Sequence, residues 1–371
     1  MNRPARPTCL PPQGEPAAPP PVAARPAGLD PTRHFPLVAR ARLACAGLDD
    51  RIAEIAELAA GDTTLIAVAH NKAALIASDC GHHDLAAELC HAHHDRYRTL
   101  PAWTAHDARL ALEPLVNLAR LHIRRGDPTA AVGHLQALWD LVDTAEEHLV
   151  DGRPVRLRGI SRGSGDHRAV RTWLWTVVLA EGVRALTAAG RWADALAHAE
   201  RHHGIGLRLL DGRQVAIVAH SFDDPDRAVA LLDTSVFDEP WEQLVADRLR
   251  ALLRPGCRPQ LLLDRAPTVR LGPRYNLFAA RLGLAVIDLL GSLAAPHRAR
   301  ATDLVRRLAG NTGTDAYVAR EILRHPIADE LGDDVRDTLT MSTTRAGLAN
   351  APAADEIATR LRSALAGQRQ M

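Results

Sequence analysis

Aromatic side chains are scarce in this chain: Phe, Trp and Tyr make up 4% of its 371 residues. A core with so few rings must be filled by many small and branched side chains. That suits close contact between helices better than a sheet-rich interior. Lysine is almost missing too, since Lys72 stands alone among 45 cationic residues. The arginine skew, with abundant Ala, Gly and Pro, points to a GC-rich genome, so the arginines carry little weight as evidence for nucleic acid. The 45 cations face 44 anions, leaving a net charge of +1, which argues against a broad phosphate-binding face. No apolar run approaches the ~18 residues of a membrane helix, and the first residues lack the apolar stretch of a signal peptide. The five cysteines (Cys9, Cys45, Cys80, Cys90, Cys257) are scattered and odd in number, as expected of buried thiols in a reducing compartment. A cytoplasmic protein without membrane or direct nucleic-acid contact is the expectation.

What is present is a repeated spacing. A small residue is followed seven positions on by Gly and five further by Ala: Ala74–Gly81–Ala86, Ala119–Gly126–Ala131, and Val183–Gly190–Ala195 with the first position relaxed to Val. The glycine ends a helix where the backbone needs the left-handed conformation. The alanines let a second, antiparallel helix approach the first closely. The fold class expected is all-α, a solenoid of stacked antiparallel hairpins.

Helical periodicity runs from His34 onward. The first hairpin is expected over 64–80 and 84–97, the second over 106–125 and 128–147, the third over 168–189 and 192–203. Further helices are expected near 213–221, 225–234, 241–253, 275–291, 297–309, 315–324, 328–341 and 353–367. Residues 1–31 hold ten of the 24 prolines and read as a disordered tail. The repeat region covers 32–253, a Pro/Gly/Arg-rich linker 254–274, and a C-terminal helical block and cap 275–371. The last helix spaces Ile357, Leu361 and Leu365 four apart, as a terminal cap would. Two Asp-Gly pairs, Asp151-Gly152 and Asp211-Gly212, interrupt the helices. Asp-Gly between apolar flanks favours a type I′ turn, and the first pair is expected to form a short β-hairpin near 150–160.

The three hairpins resemble tetratricopeptide repeats over roughly 64–203, with Cys90 and Leu135 at the large apolar position four after the Ala. That resemblance implies a right-handed superhelix whose first helices line a concave groove, and a binding rather than a chemical activity. Members that clamp a peptide carboxylate use Lys, Arg and Asn at fixed positions. Asn117 falls on one of them, but Val177 and Glu181 stand where cations are needed, so carboxylate capture is not expected. The chain is also similar in style to the helical sensing portions of actinobacterial regulators, without a helix-turn-helix ahead of the repeats.

If the first helices face inward, Asn71, Asn117, Arg120, Arg124 and Arg184 project into the groove, with Trp175 as an aromatic anchor. Arg offers a rigid fork to carboxylates and Asn pairs with peptide backbone. The function expected is therefore that of a non-catalytic scaffold or regulator holding a peptide or protein partner in this groove, with no cofactor or metal. One alternative is a small-molecule sensor using the same groove. Another is a metalloprotein or enzyme built on Cys80, His83, Cys90 and His94, whose spacing is zinc-like, or on the glycine-rich loop 159–167, which could cradle a phosphate.

Overall fold

The structure is a computed structural model that describes residues 30–254, 259–266, 271–290, 295–311, 315–349 and 351–366. The tail expected over 1–31 lies outside the described residues up to position 29, as do Cys9, Cys257 and part of the 254–274 linker. The described chain is mostly helical, at 72% helix in 16 helices, with one two-stranded sheet. In chain order the helices are α1 Leu48–Ala59, α2 Thr63–Asp79, α3 His83–Asp95, α4 Ala105–Arg124, α5 Pro128–Thr144, α6 Gly165–Ala188, α7 Trp192–Arg201 and α8 Asp211–Asp223. They continue as α9 Pro225–Asp233, α10 Pro240–Leu253, α11 Leu262–Arg265, α12 Asn276–Leu290, α13 Ala295–Asn311, α14 Ala316–Leu323, α15 Asp333–Arg345 and α16 Ala354–Ala366.

Local rules explain where these helices begin and end. Asp62, Thr104, Asp127 and Ser164 each accept a backbone N–H of the first turn that follows them. Gly81, Gly126 and Gly190 sit in the turns after α2, α4 and α6 with φ of 82°, 75° and 71°. Ala86, Ala131 and Ala195 on the returning helices are fully buried. Between α5 and α6, strands β1 His148–Val150 and β2 Arg153–Val155 pair antiparallel across Asp151-Gly152. Both turn residues have positive φ, 52° and 71°, as a type I′ turn requires. The second Asp-Gly pair makes no turn. Asp211 opens α8, and a Cβ on Gly212 would sit 2.3 Å from the Gly204 carbonyl oxygen. That glycine permits a close backbone approach rather than a reversal.

Each helix from α1 to α9 packs on the next, and α2, α4, α6 and α8 also touch in sequence. Two hydrophobic cores result, and they part within α6. Val170, Leu174 and Val178 face the first core with α1–α5, whereas Leu179, Val183 and Leu186 face the second, which runs to Ala346. The stretch 254–274 is no boundary between cores, because Leu244 and Leu249 before it share the second core with Leu277 and Phe278 after it. The chain ends cross over. The buried Phe35, Leu37 and Cys45, ahead of α1, belong to the second core; Ile357 and Leu361 of α16 belong to the first. Helix α16 lies on α1 and α2, so the terminal cap covers the first pair of helices rather than the last.

Candidate functional site

Four of the residues expected to line a groove form one connected chain across three helices. Asn117 on α4 donates to Asn71 on α2 at 3.1 Å and accepts from Arg120 at 2.8 Å. Arg120 Nε donates to Glu181 on α6 at 2.8 Å, and Arg184 reaches the other Glu181 oxygen at 2.5 Å. Burial alone would raise the Glu181 pKa, but Arg184 and Arg120 outweigh it and hold the carboxyl below its ordinary value. The sequence comparison treated Glu181 as a missing cation. In the fold it is the anion that gathers two of the expected arginines.

Arg124 takes a different partner. Its Nη1 donates to Ser78 at 2.8 Å and to Asp79 at 2.9 Å. The Asp79 side chain is wholly buried and also accepts from Arg51 on α1 and from the Tyr317 hydroxyl on α14, both at 2.6 Å. One carboxylate thereby joins α1, α2, α4 and α14. Burial pushes the Tyr317 phenol well above its ordinary range, and the adjacent Asp79 charge adds to the shift. Trp175 does not join these groups. It lies nine residues from Arg184, about half a turn away around the helix at 3.6 residues per turn. There its indole donates to the His202 carbonyl at 2.7 Å, after α7.

The metal and phosphate alternatives do not assemble where the sequence placed them. Among the described residues, Cys80, His83, Cys90 and His94 form no common ligand group. His94 Nδ1 donates to the Ala111 carbonyl at 2.7 Å. Burial pushes the Cys90 thiol up to about 12 and the Cys80 thiol up to about 11. In the loop 159–167, Ser164 caps α6, and Arg168 donates to the Gly163 carbonyl. His167 Nε2 donates to the Val142 carbonyl at 2.7 Å. Ser164 and Arg168 are thereby engaged in starting α6.

The site that sequence reasoning missed is held by the chain's own residues 31–46. These follow an irregular, non-helical course. Gln214, fully buried on α8, accepts from the Leu37 N–H at 2.7 Å and donates to the Leu37 carbonyl at 2.8 Å. One amide side chain thus satisfies both backbone groups of one residue in a passing segment. His34 and His325 both reach Asp288 on α12, at 3.1 and 2.9 Å. Burial opposes ionisation of Asp288, yet these two partners outweigh it and hold the carboxyl at about 2. Arg248, buried on α10, lies over the Phe35 ring and donates to the Pro31 carbonyl. Further along, Arg40 pairs with Asp211 at 2.6 Å, and Arg42 lies 4.7 Å over the Tyr317 ring. The Cys45 N–H donates to Asp315 at 3.1 Å. The sequence clue was faint: Phe35 and Leu37 alternate for only two apolar positions. Comparison with family models, curated proteins and solved structures finds no match to this chain.

Proposed function

We propose that the helices form a tetratricopeptide-like solenoid and that the protein is a non-catalytic binding module for an extended protein segment. The observation that carries this reading is the Gln214 pair of hydrogen bonds to Leu37, made by a buried helix side chain to backbone 177 residues away. Extended chains are recognised through hydrogen bonds to their backbone, with pockets for alternate side chains adding selectivity. Here the groove holds residues of the same chain. The occupant's chemistry defines the partner class: an extended segment with two apolar anchors two positions apart, like Phe35 and Leu37, followed by arginines that meet Asp211 and the Tyr317 ring. Arg120, Arg124 and Arg184 support the groove by pairing with Glu181 and Asp79, and do not act as free cations.

The test uses the full chain and a labelled synthetic peptide spanning residues 32–46. A tethered segment acts at millimolar effective concentration, so the wild type should bind the free peptide weakly. Leu37→Asp, which loosens the tethered copy, should bind it at least about tenfold more tightly. Adding Gln214→Ala should remove that gain. A folded Leu37→Asp protein that gains no affinity, or one indifferent to Gln214→Ala, would defeat the reading.

A further inference from the structure

Four consecutive pieces of the first half bring three imidazoles and one carboxylate together, apart from the groove. His91 comes from α3, His122 from the last turn of α4, His134 from α5, and Asp151 from the turn between β1 and β2. Ligand-capable atoms of His122, His134 and Asp151 all lie within 4.8 Å of one another. The His122 and His134 rings are 6.0 Å apart, and His91 Nε2 lies 2.8 Å from Asp151 Oδ2.

The hydrogen bonds around this group leave the right atoms free. His134 Nε2 lies 2.9 Å from the Leu115 carbonyl oxygen. A carbonyl only accepts, so Nε2 carries the hydrogen and Nδ1 of the neutral ring carries a lone pair. Metal-binding imidazoles are oriented in this way, with the second ring nitrogen donating to a backbone carbonyl. His91 serves Asp151 similarly, engaging Oδ2 and leaving Oδ1. The backbone that carries the carboxylate is also fixed in place. Asp151 occupies a left-handed position that Asp tolerates better than most residues. The flanking Val150 and Val155 anchor both strands in the first core.

We propose that His122, His134 and Asp151 bind one divalent transition-metal ion of the zinc class, with His91 positioning the carboxylate. Two imidazoles and one carboxylate suit a borderline ion, whereas Mg²⁺ and Ca²⁺ take oxygen ligands. Tetrahedral bonds of 2.0–2.2 Å place ligand atoms roughly 3.4 Å apart. Side-chain rotation of half-buried His122 and exposed Asp151 closes the remaining gap, and a water fills the fourth position. The ion would tie the hairpin to α4 and α5.

The test is zinc titration of the chelator-stripped full-length protein, followed by calorimetry and thermal unfolding, with Co²⁺ absorption as an independent probe. The expected result is one equivalent of Zn²⁺ per chain, a raised Tm, and a Co²⁺ spectrum of nitrogen and oxygen ligands without thiolate charge transfer. Asp151→Asn and His122→Gln, checked for folding by circular dichroism, should lose the binding and the Tm rise. His91→Gln should weaken affinity about 10–100-fold, as outer-shell partners do. Three results would overturn the proposal: no stoichiometric binding by the wild type with zinc in excess, undiminished binding by both ligand variants, or a thiolate band implicating Cys80 or Cys90.

Discussion

In the first half, from α1 to the opening turns of α6, neighbours in sequence are neighbours in space, and alanines such as Ala69, Ala73, Ala77, Ala108 and Ala111 let the helices approach. The second half also buries alanines, adds more aromatic rings, among them Trp192, Trp241, Phe278 and Tyr317, and is completed by Phe35 and Leu37 from far upstream. Short-range packing follows from local spacing, because a hairpin's two faces are read within about forty residues. Long-range packing follows from single residues meeting across the chain, and no period announces them. The halves also differ in what they bury. Both bury charged pairs, Asp79 with Arg51 in the first and Asp288 with His34 and His325 in the second, but the first also buries His70, His93 and His134 together.

Acid should separate the halves most strongly. Burial lowers His93 to about 3 and His70 and His134 to about 4, with His202 at the border also at about 4. The unfolded chain takes up these protons near pH 6.5 while the folded chain does not. Stability is therefore present above pH 6.5 and lost as pH falls toward 4, by about 1.4 kcal/mol per pKa unit for each group. Asp288, held at about 2, contributes stability that is present above about 3.8 and lost only as pH falls toward 2. Amide hydrogen exchange followed from pH 7 to 4 should show α2–α5 losing protection before α10–α14. Simultaneous loss would mean that the two cores open as one unit.

Next in size is the junction between them. Arg51→Ala strips the buried Asp79 of a partner and should cost roughly 3–5 kcal/mol in denaturant unfolding. A cost below 1 kcal/mol would show that Arg124 and Tyr317 suffice. Leu37→Ala empties a fully buried position of the second core and should cost about 2–5 kcal/mol. The comparison predicts that exchange rises chiefly in α8–α14 and little in α2–α5. Ala131→Phe overfills the contact between α4 and α5 and should cost about 1–3 kcal/mol, read as a lowered Tm. Smallest is Arg306→Glu, which pairs with exposed Asp303 one turn away; it should stay within about 0.5 kcal/mol.

Much of the first half was legible because its devices are local. Gly81, Gly126 and Gly190 carry their turns, Ala86, Ala131 and Ala195 their close contacts, and Asp151-Gly152 its hairpin. Of the candidate residues, Asn71, Asn117, Arg120 and Arg184 do meet, since positions alike on successive first helices face the same way. What escaped depends on distance along the chain. Gln214 looks like any polar helix residue until Leu37 arrives, and Asp211-Gly212 looks like a turn until Gly204 presses against it. Ile357 and Leu361 declare an apolar stripe but not the surface that covers it.

The crossed ends bear on how the protein is made. A ribosome delivers the N-terminus first and domains fold as they emerge, yet α1 and α2 receive their cover from α16, far downstream. Asp79 likewise waits for Tyr317, 238 residues later, to complete its set of donors. Until α16 is made, the nascent first half exposes the apolar surface beneath it, and residues 32–46 wait for Gln214, Asp288 and Asp315. A chain truncated before Ile357 leaves the apolar surface that α16 covers on α1 and α2 exposed.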